Sequence, residues 1–158
     1  MKDNRTLNEI AAEFGLSPKA NEDGVLTEGY THYYPYNRGF TQEEWDKIVK
    51  EAKRLFAAAK AKGISIKGGN GSGSPIANDQ EIIFNGDASK KEGEWPNGED
   101  HETFALTPEN PGDFQFCKTA QKPYDAVVVS LLAFIKQIAK DALKISSDGG
   151  NSAIKKVL

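Results

Sequence analysis

The chain predicts an α+β fold, a two-layer sandwich in which two long helices, about 41–62 and 123–143, cover a mixed sheet of four or five strands. Three observations carry that expectation. Apolar residues recur at helical spacing from Trp45 to Ala59, the segment from Tyr124 to Leu143 is apolar over more than one stripe, and short strand-like runs bounded by turn residues lie between Ile64 and Lys118. A length of 158 residues suits a single domain, 1–158, with an irregular N-terminal region over 1–40.

Within that region Thr6 and Glu9 form a capping box for a short helix that Gly15 ends. Residues 16–32 read as irregular, and Tyr33-Tyr34-Pro35-Tyr36-Asn37-Arg38-Gly39-Phe40 as an aromatic loop with one arginine. Thr41 with Glu44 repeats the capping box, and Phe40 with Trp45 is placed as a hydrophobic staple. Trp45, Ile48, Val49, Ala52, Leu55, Phe56 and Ala59 share the buried face of this helix, and Gly63 stops it. Ile64–Lys67 is a first strand. Gly68–Pro75 reads as a flexible connector: a strand precedes Gly69, Gly71 and Gly73, but no helix follows and no lysine sits where a phosphate-binding loop needs one. Glu81–Phe84 is a second strand, closed by a turn at Gly86-Asp87, and 88–100 is a charged surface loop. Glu102–Leu106 and Asp113–Lys118 are expected to pair as a hairpin, with Phe114 and Phe116 on one side and Gln115 and Cys117 on the other. Pro123 suits a first helical turn, and Lys144–Ser146 would close a strand–helix–strand crossover.

Composition narrows the function. A net charge of −3 argues against nucleic acid as a partner, because nonspecific binding needs a basic face. A helix-turn-helix reading of Thr6–Pro18 fails because acidic Asn21-Glu22-Asp23-Gly24 stands where a recognition helix would begin. The apolar run Ala126–Ile135 is far shorter than the ~20 residues of a membrane span, and no signal peptide is visible. The single cysteine, Cys117, permits no internal disulfide and is compatible with a reducing cytoplasm. No cofactor motif stands out. His101 between Asp100 and Glu102 lacks metal-ligand spacing, since neighbouring strand residues point to opposite faces.

The candidate site is the turn Lys118-Thr119-Ala120-Gln121-Lys122 leading into the second long helix, where free amides and two lysines favour an anion. Tyr124, and Ser146, Ser147 and Asp148 at the end of the crossover, would share that edge, with Arg38, Tyr34, Tyr36 and His101 as further candidates. Solvated lysines and capping hydroxyls explain the same residues without any ligand.

Several of these blocks, namely Tyr33–Thr41, Phe84–Asp87, His101–Phe104, Phe116–Asp125 and Ser146–Gly149, resemble small uncharacterised accessory proteins of tailed bacteriophages over roughly residues 30–149. The resemblance carries no catalytic residue. It implies a small viral protein of the host cytoplasm that acts by binding, in counter-defence or host redirection. The expected function is therefore a non-enzymatic binding protein that sequesters a small anionic, nucleotide-like ligand or caps a host protein. One alternative is a small hydrolase using His101 with Cys117 or Asp148. Another is a protein–protein module using the Tyr-rich loop 33–40. A homo-oligomer is compatible with any of these.

Overall fold

The computed structural model describes residues 31–89 and 98–148. The expected helix from Thr6 and the tail beyond Asp148 lie outside the described residues. The described chain runs β1 (Thr31–Tyr33), α1 (Gln42–Ala61), β2 (Ile66–Lys67), β3 (Ile76–Ala77), β4 (Ile82–Gly86), β5 (Phe104–Leu106), β6 (Phe116–Lys118), α2 (Asp125–Ile138) and β7 (Ser146–Ser147). The fold is α+β.

α1 forms where the periodicity places it, and local chemistry fixes both ends. The Thr41 hydroxyl accepts from the Glu44 amide at 3.1 Å, and the Glu44 carboxylate accepts from the Thr41 amide at 2.9 Å. Phe40 and Trp45 close the staple, with ring centroids 5.8 Å apart. At the far end Gly63 takes φ +80°, its amide bonds Lys60 O, and the Ile64 amide reaches back to Ala59 O. This is the double bond of a Schellman ending, which needs a left-handed residue at that position. Trp45, Ile48, Ala52, Leu55 and Ala59 are buried, as the stripe predicts.

α2 is shorter than its apolar pattern suggests. It stops at Ile138 because the chain beyond it is recruited elsewhere: Ala142 O accepts from the amides of Asn37 and Arg38, and Leu143 bridges Tyr36. Ala142 and Leu143 are buried by that pairing rather than by helix, and hydrophobicity alone does not separate the two outcomes.

The single mixed sheet gives way to two antiparallel ones. Three strands lie in the order β6-β1-β7, and four are organised on β4, which pairs β2, β3 and β5. The expected hairpin is therefore corrected: β5 pairs β4, and β6 pairs β1. Turn residues between two strands show that the chain reverses, not that the two strands become neighbours. β1 falls in the stretch read as irregular, because polar Thr31 and His32 hide its alternation. β6 and β7 both run antiparallel to β1, so they are parallel to each other across it, and α2 connects them. The turn expected at Gly86 is a continuation of β4.

An aromatic column ties the sheets together. Ring centroids are 5.2 Å apart for Tyr34–Phe104, 5.0 Å for Phe104–Phe84 and 5.3 Å for Phe84–Phe56. The column therefore links the end of β1, then β5 and β4, to α1, and α1 packs in turn on α2. Buried Asn85 is the polar counterpart. Its side chain donates to Gly69 O and His101 O and accepts from the His101 amide. Next to it, a Cβ on Gly86 would lie 1.9 Å from Glu99 O, so this glycine is required by close backbone approach. Gly86→Ala should cost about 2–3 kcal/mol, measured as a lower urea midpoint; an unchanged midpoint would contradict that packing.

Candidate functional site

The three-stranded sheet brings most of the candidate residues to one end. In its register Thr31 faces Lys118, and His32 faces both Cys117 and Ser147. Facing residues share a side, so Cys117, His32 and Ser147 form a row across the inner face, and Tyr33 with Phe116 and Ser146 forms one across the outer face. Lys118 and Ser147 are thus neighbours of successive β1 residues.

The inner row meets the start of α2. Asp125 Oδ1 lies 2.6 Å from His32 Nε2, and Ser147 Oγ lies 2.7 Å from His32 Nδ1. The Thr119 hydroxyl donates to the same Asp125 oxygen. Asp125 Oδ2 has no hydrogen-bond partner among the described residues. A carboxylate, an imidazole and a hydroxyl in series can activate a nucleophile. Here His32 and Thr119 are 0% exposed, Asp125 1% and Ser147 7%, so little of the series is open to solvent. The cluster instead joins β1, β7, the 119–122 turn and α2 through one buried polar node.

The same helix start does not offer the amides expected of an anion site. The amides of Asp125, Ala126 and Val127 bond Lys122 O, Pro123 O and Tyr124 O, and the Asp125 carboxyl group already sits against the positive end of the helix dipole. The preceding turn places Ala120 at φ 49° and Gln121 at φ 61°, left-handed geometry that costs about 1–2 kcal/mol per non-glycine residue.

The remaining candidates separate. Lys118 and Lys122 are half-buried on either side of that turn, and exposed His101 joins them, its Nδ1 2.8 Å from Lys118 O. Asp148 accepts from the Tyr33 hydroxyl at 2.8 Å. Ser146 lies on the outer row. Tyr124 is buried, and its hydroxyl donates to Glu102 O. Tyr34 and Tyr36 turn inward, donating to Ala105 O and Thr107 O, and burial pushes both phenols above their ordinary pKa. Arg38 lies beyond the other end of β1, where its guanidinium is shared between Glu44 and Asp141.

Cys117 and His101 do not form a catalytic pair. The thiol is fully buried and donates to Glu102 O at 3.3 Å. Burial, reinforced by the charges of Asp125 and Glu102, pushes its pKa up and keeps it protonated. Among the described residues no group of three His, Cys, Asp or Glu side chains is placed to hold a metal ion, and no helix is long and apolar enough to cross a membrane.

His32, a lone histidine in a stretch without apolar pattern, and Asp125, an ordinary first-turn acid, give no signal of this node in the sequence. The sheet's outer face carries a further surface. Phe114 is 59% and Phe116 51% exposed, their ring centroids are 6.2 Å apart, and Tyr33 lies 6.0 Å from Phe114. The placement of Phe114 and Phe116 on one side was legible; their exposure was not. No protein-family model, curated protein or solved structure matches the chain.

Two outcomes follow. His32→Ala leaves the buried Asp125 carboxyl group with one partner fewer and should cost about 3–5 kcal/mol, read from urea denaturation; a loss below about 1 kcal/mol would remove the node from its structural role. Iodoacetamide should leave Cys117 unmodified in the native protein at pH 8 and alkylate it in guanidinium. Rapid native labelling would show that the thiol is accessible and ionised.

Proposed function

We propose that this chain is a non-enzymatic binding protein whose partner docks on the outer aromatic face of the three-stranded sheet. The observation that carries this is the exposure of Phe114 and Phe116 beside Tyr33. Exposed apolar clusters of this kind are where protein partners gain most from excluding water, and aromatic side chains are enriched at interfaces. The charges around the patch are mixed, with Lys118, Glu102 and Asp148 nearby, which suits a protein surface. Tyr34 and Tyr36 of the Tyr-rich loop turn their hydroxyls into the fold, so the interaction reading moves from residues 33–40 as a whole to Tyr33 with the two phenylalanines.

The resemblance to phage accessory proteins supplies the context of this reading: a viral protein in the host cytoplasm that caps a host protein, as counter-defence factors do. We read the two packed helices as one layer laid over the strands, leaving this face open on the other side. A second reading keeps the small anionic, nucleotide-like ligand. Lys118 stands two residues from Phe116 on the same face, so a base stacked on the ring would bring its phosphate near the ammonium.

Pull-down from bacterial lysate with the wild-type chain and with the Phe114→Ser/Phe116→Ser double variant tests the first reading. A partner retained by the wild type should be lost by the variant, whose melting temperature should stay close to that of the wild type because more than half of each residue is already exposed. Equal retention by the two proteins would refute the docking face. Thermal-shift screening with nucleotides and cyclic dinucleotides tests the second; no rise in melting temperature with any of them would eliminate it.

A further inference from the structure

A separate cavity lies in the other half of the fold. It has a volume of about 360 Å³ and opens between the C-terminal half of α1, the segment around β2 and the end of the 68–75 loop. Phe56, Ile64 and Pro75 supply apolar wall, and Lys60, Lys67 and Ser74 polar groups. The size falls at the lower end of small-molecule sites, which combine apolar walls with a few placed polar groups.

The loop that forms one wall is pinned, contrary to the flexible connector that its composition predicts. The Gly68 amide bonds Ser72 O, the Gly71 amide bonds Gly68 O, and Gly71 O accepts from the Ala88 amide. Gly69 O accepts from both Asn85 and Thr103. Gly71 sits at φ +83°, where a Cβ would meet the Ala88 side chain at 2.6 Å. The glycines therefore permit tight winding against β4, and the wall exists before any ligand arrives.

The two lysines come from different elements, α1 and β2, and neither forms an ion pair among the described residues. Among the described residues no carboxylate lines the cavity. Asp87, bonded to the lining residue Ser65, has its oxygens occupied by the hydroxyls of Ser65 and Ser89 and the Ser89 amide. Asp87 draws on Lys67 electrostatically, which leaves Lys60 as the less committed cation.

We propose that this cavity binds a small organic anion, its apolar ring or branched body against Phe56, Ile64 and Pro75 and its carboxylate or phosphate between Lys60 and Lys67. The site is independent of the aromatic face of the other sheet.

Amide chemical-shift titration of the full chain tests it, using adenosine monophosphate, indole-3-acetate, inorganic phosphate and neutral indole as probes. At least one of the two ring-bearing anions should shift the amides of Ser65, Lys67, Gly73 and Ser74 with a Kd near or below about 1 mM, and more strongly than indole or phosphate alone. Which anion binds distinguishes phosphate from carboxylate recognition. Lys60→Ala/Lys67→Ala should weaken that binding at least about tenfold, whereas Phe114→Ser/Phe116→Ser should leave it unchanged. The proposal fails if neither ring-bearing anion shifts these amides, if indole binds as well as they do, or if the lysine variant retains wild-type affinity.

Discussion

The contact between His32 and Asp125 sets the register on which the three-stranded sheet depends. β1 is three residues long and has no apolar pattern to choose its inner face. The imidazole makes the choice by pointing inward between Cys117 and Ser147 and meeting the first residue of α2. Because strand side chains alternate, that single decision places Tyr33 outward beside Phe116. A slip of one residue would bury Tyr33 and expose the histidine. The buried polar node and the open aromatic face are therefore two sides of one constraint.

The node also explains why so many reactive residue types near this sheet edge are withheld from solvent. Thr119, Ser147, Tyr124 and Cys117 are each held by a hydrogen bond inside the fold, and burial removes them from solvent. Groups that would signal a catalytic site on a surface act here as fasteners between neighbouring elements. What faces outward is different in kind: two phenylalanine rings, a tyrosine and a lysine. That contrast is the physical basis for reading the protein as a binder.

How much of this could be read from the chain follows from how local each cause is. α1 was legible to its caps, because Thr41, Glu44, Phe40, Trp45 and Gly63 act on neighbours a few residues away. The α+β character was legible from segment patterns. Strand partners were not, since β5 and β6 are separated by turn residues and yet join different sheets: β5 pairs the strand before it, β4, while β6 pairs β1, more than 80 residues upstream. The shared sheet end of Lys118, Thr119 and Ser147 followed from the crossover of β6, α2 and β7. The burial of Thr119 and Ser147 did not, because it depends on His32 arriving from more than 80 residues upstream. Asp125 gave no distinguishing signal, as an acid in a first helical turn is ordinary. The pinned state of the 68–75 loop was hidden for a similar reason: its bonds go to Asn85, Ala88 and Thr103.

Site-specific photo-crosslinking in bacterial cells asks directly whether the outer aromatic face meets a partner. A benzophenone amino acid would replace Phe116, on the open sheet face, and separately Lys53, an exposed position on α1. A discrete covalent adduct to a macromolecular partner is expected from position 116 and none from position 53. The absence of any adduct at 116, or the same adducts from both positions, would contradict docking on this face.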